Sequence, residues 1–428
     1  MELRGILGAA ATAALLVAGG LTAGAAKAAT VVISCGALGQ ELAICQQGAD
    51  AWARKTGNQV KVVSTPSSAT ERLALYQQML AAGSGDIDVY QIDVIWPGVL
   101  GQHFEDLSKA VGKDILDQHF PSIVKNNTVD GRLVGMPWFT DAGLLYYRKD
   151  LLDKYKRPVP ATWADLAETA RIVMEGERKA GNARMQGFVF QGKAYEGLTC
   201  NALEWIDSNG GGTIVEADGK ISVTRPQAVA ALKQAAGWMG KIAPTGTLNY
   251  GEEEARGVFQ SGDAVFMRNW PYAWALAQGA DSPVKDKVGV APLPKGGDQG
   301  KNSGTLGGWQ LAVSKYSRNK EAAIDLVKYL ASPEEQKRRV LQGAFLPTIK
   351  ALYQDQDAIK SVPIMKDLYG TLTSAVARPA TVTGDRYNQV STEFFTAVHA
   401  VLTGQRPAEE AMKDLDQRLT RLGRGGRW

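Results

Sequence analysis

Apolar residues follow two rhythms along the early chain. Short continuous runs at residues 31–34 (VVIS) and 60–63 (VKVV, with one lysine) predict strands. Leu73, Tyr76, Met79 and Leu80 recur instead at helical spacing. Between the two runs Glu41 stands at or near the start of a helix expected to reach about Lys55, where the helix N-terminus favours a carboxylate. Gly57-Asn58 stops it. Ser68-Ala69-Thr70-Glu71 spells a capping box for the next helix. Residues 88–96, DVYQIDVIW, predict a third strand with Asp93 near its C-terminal end. Strand, helix, strand, helix, strand is the order of an α/β fold with a parallel sheet.

The pattern changes at residues 135–155, GMPWFTDAGLLYYRKDLLDKY. An extended apolar segment leads into Trp138, Phe139 and Asp141, then Leu144 to Tyr147, and a helix-like run opens at Arg148-Lys149-Asp150. Here the chain is expected to cross to a second lobe, with a ligand between the two. Thr162-Trp163-Ala164-Asp165 begins a helix to about Ala180, and residues 187–190 predict a strand. Thr224-Arg225-Pro226-Gln227 reads as another capping box, for a helix to about Ile242. Strands are expected at residues 264–268 and 288–291. The polar, Gly-rich stretch at residues 295–303 predicts a return crossing. A strand at residues 305–313 and helices at residues 319–330 and from Ser332-Pro333-Glu334-Glu335 follow. Residues 344–347 predict a third crossing, and residues 409–422 an amphipathic final helix. The expected lobes are residues 29–138 with 300–345, and residues 139–299 with 346–428. Both fall within the usual domain range of about 50–250 residues.

Composition narrows the class. With 45% apolar residues, 21% charged and a formal charge of +4 over 428 residues, the chain is ordinary for a globular protein and carries no nucleic-acid footprint. Residues 1–28 read as a secretory signal: Arg4, an Ala/Leu/Val/Gly run over residues 5–21, and Ala26-Lys27-Ala28 at the cleavage point. A spanning anchor needs a longer and more apolar run. No lipoprotein cysteine follows Leu21-Thr22-Ala23-Gly24, so the mature chain is expected free in the periplasm, cleaved near Ala28. In that oxidising space Cys35 and Cys45 are the best candidate disulfide, clipping the loop after the first strand. The other reading is two buried free thiols. Cys200 is expected to stay a packed thiol. The three histidines form no ligand cluster, and no phosphate loop or G-x-S-x-G elbow is present, so neither metal nor cofactor is expected.

Ligands of open α/β sheets bind beyond the carboxyl ends of strands. Glu41, Asp93 and Asp141 are all expected near such ends, so three carboxylates from distant segments would share one cleft. Asp93 and Asp141 sit among apolar and aromatic residues, where an unpaired carboxylate is costly; turn capping or a buried arginine would also explain them. Trp270, Tyr272 and Trp274, broken by Pro271, suit a wall against the C–H faces of a sugar ring, with core packing as the other reading. Gly307-Gly308-Trp309 combines close backbone approach with a covering ring. Arg72 and Arg378 are candidate donors of paired N–H bonds to vicinal hydroxyls, or solvated surface residues.

Five stretches now resemble one family: (P)WFxDAGLLYYRKDLL at residues 137–152, FxxQGKxYEGLxC at 188–200, RNWPYAW at 268–274, VGVAPLP at 288–294 and TLGGW at 305–309. The chain is similar, over essentially its whole mature length, to solute-binding proteins of carbohydrate ABC importers (extracellular solute-binding protein family 1), most closely the trehalose/maltose-binding branch. The resemblance implies a two-lobe periplasmic binding protein fold of the maltose-binding-protein-like type II, closing on its ligand about a multi-segment hinge. By motif, Glu41, Arg72, Asp93 and Asp141 would bond sugar hydroxyls and Gly308 would offer its backbone. Trp270 and Trp309 would stack or donate an indole N–H, and Arg378 would reach in from the C-terminal portion. The implied role is capture of an α-linked disaccharide by a monomer that delivers it to an ABC permease and its ATPase. Two features depart from the branch. Close relatives carry tyrosine where this chain has Phe139, which leaves only a ring as wall, and the Cys35/Cys45 pair is not general to the family. A periplasmic glycoside hydrolase is the competing class, since paired carboxylates in a cleft also cleave sugars. A glycosyl-polyol or modified-sugar ligand on the same fold is a third reading.

Overall fold

The computed structural model describes residues 28–428. The leader expected over residues 1–28 lies outside them except for Ala28. The early apolar runs form parallel strands Thr30–Cys35, Gln59–Ser64 and Val89–Asp93. They are joined by helices Glu41–Thr56 and Ala69–Ala81. Gly57 ends the first helix in the left-handed region at φ 76°, as a C-cap glycine does. Ser68 caps the second by accepting from the Glu71 N–H at 3.3 Å.

Strand Leu306–Val313 inserts antiparallel between Val89–Asp93 and strand Met136–Ala142, completing a five-stranded sheet. Its register sets Trp309 opposite both Asp93 and Phe139, and Gly307 opposite Asp141. A second, four-stranded sheet runs in the order Val288–Pro292, Leu144–Arg148, Ala264–Asn269, Gln186–Val189.

The crossing between the sheets therefore falls at Gly143, not after Trp138. Phe139 to Ala142, expected in the second lobe, continue the first sheet: all seven residues of Met136–Ala142 are buried, and all but Trp138, at a register shift, pair with strand Leu306–Val313. Only glycine fits at 143: a Cβ there would lie 1.9 Å from Glu204 Oε1 and 2.6 Å from an Arg268 guanidinium nitrogen. Glu204 and Arg268 are themselves a fully buried bidentate pair, and Glu204 Oε1 also accepts from the Thr305 N–H at 3.0 Å where the chain returns. Near the third expected crossing, the Thr140 N–H donates to Leu346 O at 3.0 Å.

One core lies under the first sheet, around Ile33, Trp52, Tyr76, Trp96 and Leu311. Another gathers Trp163, Phe188, Phe190, Trp205 and Trp238 with the C-terminal helices Tyr387–Leu402 and Ala408–Leu422. Three local expectations need correction. Thr224 is not a cap: Arg225 precedes helix Pro226–Ala236 without a side-chain bond, and that helix stops before Ile242. Helix Glu196–Ser208 has no counterpart in the sequence reading. All 13 of its residues are buried, including the polar Glu196, Thr199, Asn201, Glu204, Asp207 and Ser208, whose side of the helix faces protein instead of solvent. Residues 94–96, expected to extend the third strand, turn away after Asp93, with the Trp96 N–H donating to Asp93 O at 2.9 Å. Cys35 and Cys45 are disulfide-bonded, their Cα atoms 6.5 Å apart, and Cys200 is a buried free thiol. No helix among the described residues is long and apolar enough to cross a membrane.

Candidate functional site

One end of the first sheet and the three crossings converge on one cavity between the lobes. Of the residues singled out from sequence, Glu41, Asp93, Phe139, Asp141, Trp270, Tyr272, Gly308, Trp309 and Arg378 line it. Arg72 does not. It lies one layer back, with its guanidinium carbon 4.3 Å from the Trp309 ring centroid and its Nε and Nη2 donating to Pro66 O.

The carboxylates differ in their partners. Glu41 Oε1 accepts from Gln91 Nε2 at 2.5 Å, and its Oε2 from the Leu38 N–H at 3.4 Å. Asp93 Oδ1 accepts from Arg378 Nη2 at 2.8 Å and from the Ile95 N–H at 3.2 Å. Among the described residues no hydrogen bond reaches the Asp141 carboxyl. Burial pushes its pKa up to about 8, with Glu41 and Asp93 adding to the rise and Arg339 and Arg268 opposing it. A buried carboxyl without a protein partner, facing a cavity, is open to a ligand hydroxyl.

Arg378 takes a different part from the expected one. Its Nη1 donates to Glu196 and its Nη2 to Asp93, each at 2.8 Å, so it clasps two carboxylates instead of presenting a free fork to a ligand. Glu196 also accepts from Tyr387 Oη and Ser391 Oγ, each at 2.6 Å. Two further contacts span the cleft at its mouth: Glu196 N–H to Thr70 Oγ1 at 3.1 Å, and Lys193 Nζ to Glu71 Oε1 at 3.4 Å.

Rings supply the walls. Trp270 Nε1 donates to Glu252 Oε1 at 3.3 Å, and the Arg268 guanidinium carbon lies 3.9 Å from its ring centroid. Trp309 meets Trp96 edge-on at 5.5 Å. Tyr272 contributes its ring, because its hydroxyl donates to Glu253 Oε1 at 2.6 Å. Phe139 packs edge-on against Phe345 at 5.0 Å and Trp138 at 5.4 Å. Trp274 lies off the cavity, its indole N–H donating to Ser361 O at 3.1 Å.

Gly308 is required by geometry. Its φ is +126°, and a Cβ would lie 2.6 Å from Phe139 O and 2.8 Å from Thr140 Cα, atoms of the paired strand that cannot step aside. Gly308→Ala is expected to destabilise the fold by about 1–3 kcal/mol, read as a lower urea midpoint at unchanged m. An unaltered midpoint would remove the strain argument.

Sequence reasoning missed Tyr195, Glu196, Gly197, Cys200 and Glu252, which also line the cavity, together with Leu38, Ser67, Ala69 and Phe345. Tyr195 Oη donates to Glu252 Oε2 at 2.6 Å, and burial raises the Glu252 pKa. The signal was in the YEGLTC stretch, a carboxylate opening an apolar run after a Gly-Lys loop. Burial pushes the Cys200 thiol up to about 12, so it lines the cavity as an inert group.

Two α/β lobes enclosing a cavity of aromatic walls and buried carboxyls define a two-lobed solute-binding protein of the kind that serves ABC importers. The chain belongs to the bacterial extracellular solute-binding protein family, whose match runs over residues 36–337. A probable ABC transporter-binding protein of Deinococcus radiodurans is 54% identical over 402 residues, covering 94% of this chain and 95% of that one. Maltose-bound MalE3 of T. maritima aligns with a TM-score of 0.87 at 41% identity, over 92% of this chain and 100% of that one. The GacH receptor of Streptomyces glaucescens, 23% identical with a TM-score of 0.81 over 92% of this chain and 98% of that one, shares the fold.

Proposed function

We propose that the protein is the periplasmic sugar-binding component of an ABC importer. In this reading a monomer captures an α-linked disaccharide of the trehalose or maltose type and delivers it to the permease–ATPase complex. The observation that carries the reading is that the Asp141 carboxyl, without a hydrogen bond among the described residues, lines one cavity with the Trp270, Trp309 and Phe139 rings. Sugars present C–H faces to rings and hydroxyls to acceptors, and this cavity offers both. The maltose held by T. maritima MalE3 supports the class. Hydrolysis fits less well, because Glu41 is bonded to Gln91 and Asp93 to Arg378, which leaves Asp141 without a second free carboxylate. Phe139 keeps a glycosyl-polyol or modified sugar as the second reading, since its ring offers no hydroxyl. Titration calorimetry with a panel of disaccharides and polyols tests the proposal, and no heat from any of them would end it.

The affinity is expected to depend on pH in a stated direction. In the empty cavity Asp141 releases its proton only near pH 8. A ligand hydroxyl donating to it favours the carboxylate, so binding releases a proton. Affinity then climbs as pH rises from about 6 to about 8 and levels off above the free-state pKa. A dissociation constant that stays flat from pH 6 to 9 would show that Asp141 does not ionise on binding.

A further inference from the structure

Arg339 plays no part in the contacts described so far. It lies in helix Pro333–Gly343, and its side chain turns inward, 1% exposed. The guanidinium carbon lies 3.8 Å from the Trp138 ring centroid, 4.7 Å from that of Phe345 and 4.8 Å from that of Phe139. Among the described residues none of its Nε, Nη1 and Nη2 atoms has a hydrogen-bond partner. Arg268, equally buried, has the bidentate Glu204 pair. A guanidinium buried without such a pair costs the fold free energy that cation–ring contact recovers only in part. Burial lowers its pKa to about 9, so it remains charged at neutral pH.

Its position explains why a costly group is held there. Phe139 and Phe345 both line the cavity, so Arg339 stands one ring behind the ligand space. The other two main walls are built alike, with Arg72 behind Trp309 and Arg268 behind Trp270. The charged and titratable groups around Arg339 and Asp141 are Glu41, Asp93, Arg268, Glu335 and Arg338, with the phenols of Tyr146 and Tyr353. Glu41 and Asp141 face the cavity and, among the described residues, have no direct arginine partner.

We propose that Arg339 is a positioning residue of the ligand site, fixing the Trp138–Phe139–Phe345 wall from behind and holding a positive charge that acts on Glu41 and Asp141. The idea rests on the cavity being the ligand site, and the test separates the two. Arg339→Met keeps the length and removes the charge; Arg339→Lys restores the charge without the planar stack. The first readout needs no ligand: the Asp141 carboxyl is followed by carbon NMR of aspartate-labelled protein, assigned with Asp141→Asn. Its titration is expected to move up by about one pH unit in Arg339→Met and to return toward wild type in Arg339→Lys. The melting temperature of Arg339→Met is expected to hold or rise, because an unpaired buried charge is lost. Affinity for whichever sugar of the panel binds is expected to fall about tenfold at pH 7. An unmoved Asp141 titration would overturn the proposal. So would a lower melting temperature with unchanged affinity, the signature of a residue that only supports the fold. If wild type binds no sugar, the function reading fails while the titration still decides the role of Arg339.

Discussion

Replacing Arg378 by methionine is expected to lower the free energy of unfolding by about 3–5 kcal/mol, the usual consequence of removing one partner from a buried ionic cluster. Arg378 is the only cation bonded to both Asp93 and Glu196 among the described residues. Without it two carboxylates remain buried at one point, and methionine offers them no hydrogen bond. The loss should depend on pH. Burial already raises the Glu196 pKa, and Arg378 is the largest influence lowering it, so the substitution raises it further. An acid whose folded pKa exceeds its unfolded value of about 4.3 loses stability as pH rises through the window between the two. The variant should therefore be weakest at pH 7.5 and recover part of its stability at pH 5. Urea unfolding followed by tryptophan fluorescence at both pH values measures this. An equal deficit at each would show that Glu196 does not titrate in that window. Ligand affinity should fall as well, because Asp93 loses the group that orients it toward the cavity.

Asp141→Ala is expected to weaken sugar binding by about tenfold to a hundredfold at pH 8.5, where the carboxyl is ionised, since a hydrogen bond to a charged group is worth about 1.5–3 kcal/mol. The effect should fall on binding and spare the fold. The residue sits in the strand Met136–Ala142, its backbone paired to Gly307, and among the described residues no donor is bonded to its carboxyl. Truncation therefore strands no protein hydrogen bond and removes a group whose ionised form burial disfavours. A melting temperature equal to or above that of wild type, together with the weaker affinity, is the expected pair of results. Calorimetry on both proteins with the same ligand decides it, and an unchanged dissociation constant would remove Asp141 from the site.

These two residues also show how far the chain can be read without its fold. Asp141 was legible: a carboxylate set among apolar and aromatic residues at a strand end needs a partner, and none lies nearby in sequence. Asp93 was legible for the same reason, but its partner was not. Arg378 lies 285 residues away and looks like any solvated arginine. The Arg339 role was hidden more deeply. Lys337, Arg338 and Arg339 are consecutive. Lys337 pairs with Asp355 and Arg338 with Glu335, while Arg339 turns inward. Which of the three points inward depends on how the helix docks, and no local pattern encodes that. Helix Glu196–Ser208 was not read from sequence; its polar side looks like a solvated face, and only the fold sets Glu196 against Arg378 and Glu204 against Arg268.

The sequence by itself determined the α/β alternation, most strand and helix positions, most of the rings and carboxylates that line the candidate cavity and the need for glycine beside Trp309. These follow from local preferences and short-range sterics, which act within a few residues. Only the tertiary structure decided that the first sheet runs on to Ala142 and that the lobes cross at Gly143. It alone made Arg378 a clasp between Asp93 and Glu196, and placed an arginine behind each of Trp309, Trp270 and Phe139. Those are outcomes of burial and of charge pairing between segments far apart in the chain, and such energies have no value until the fold has set the distances.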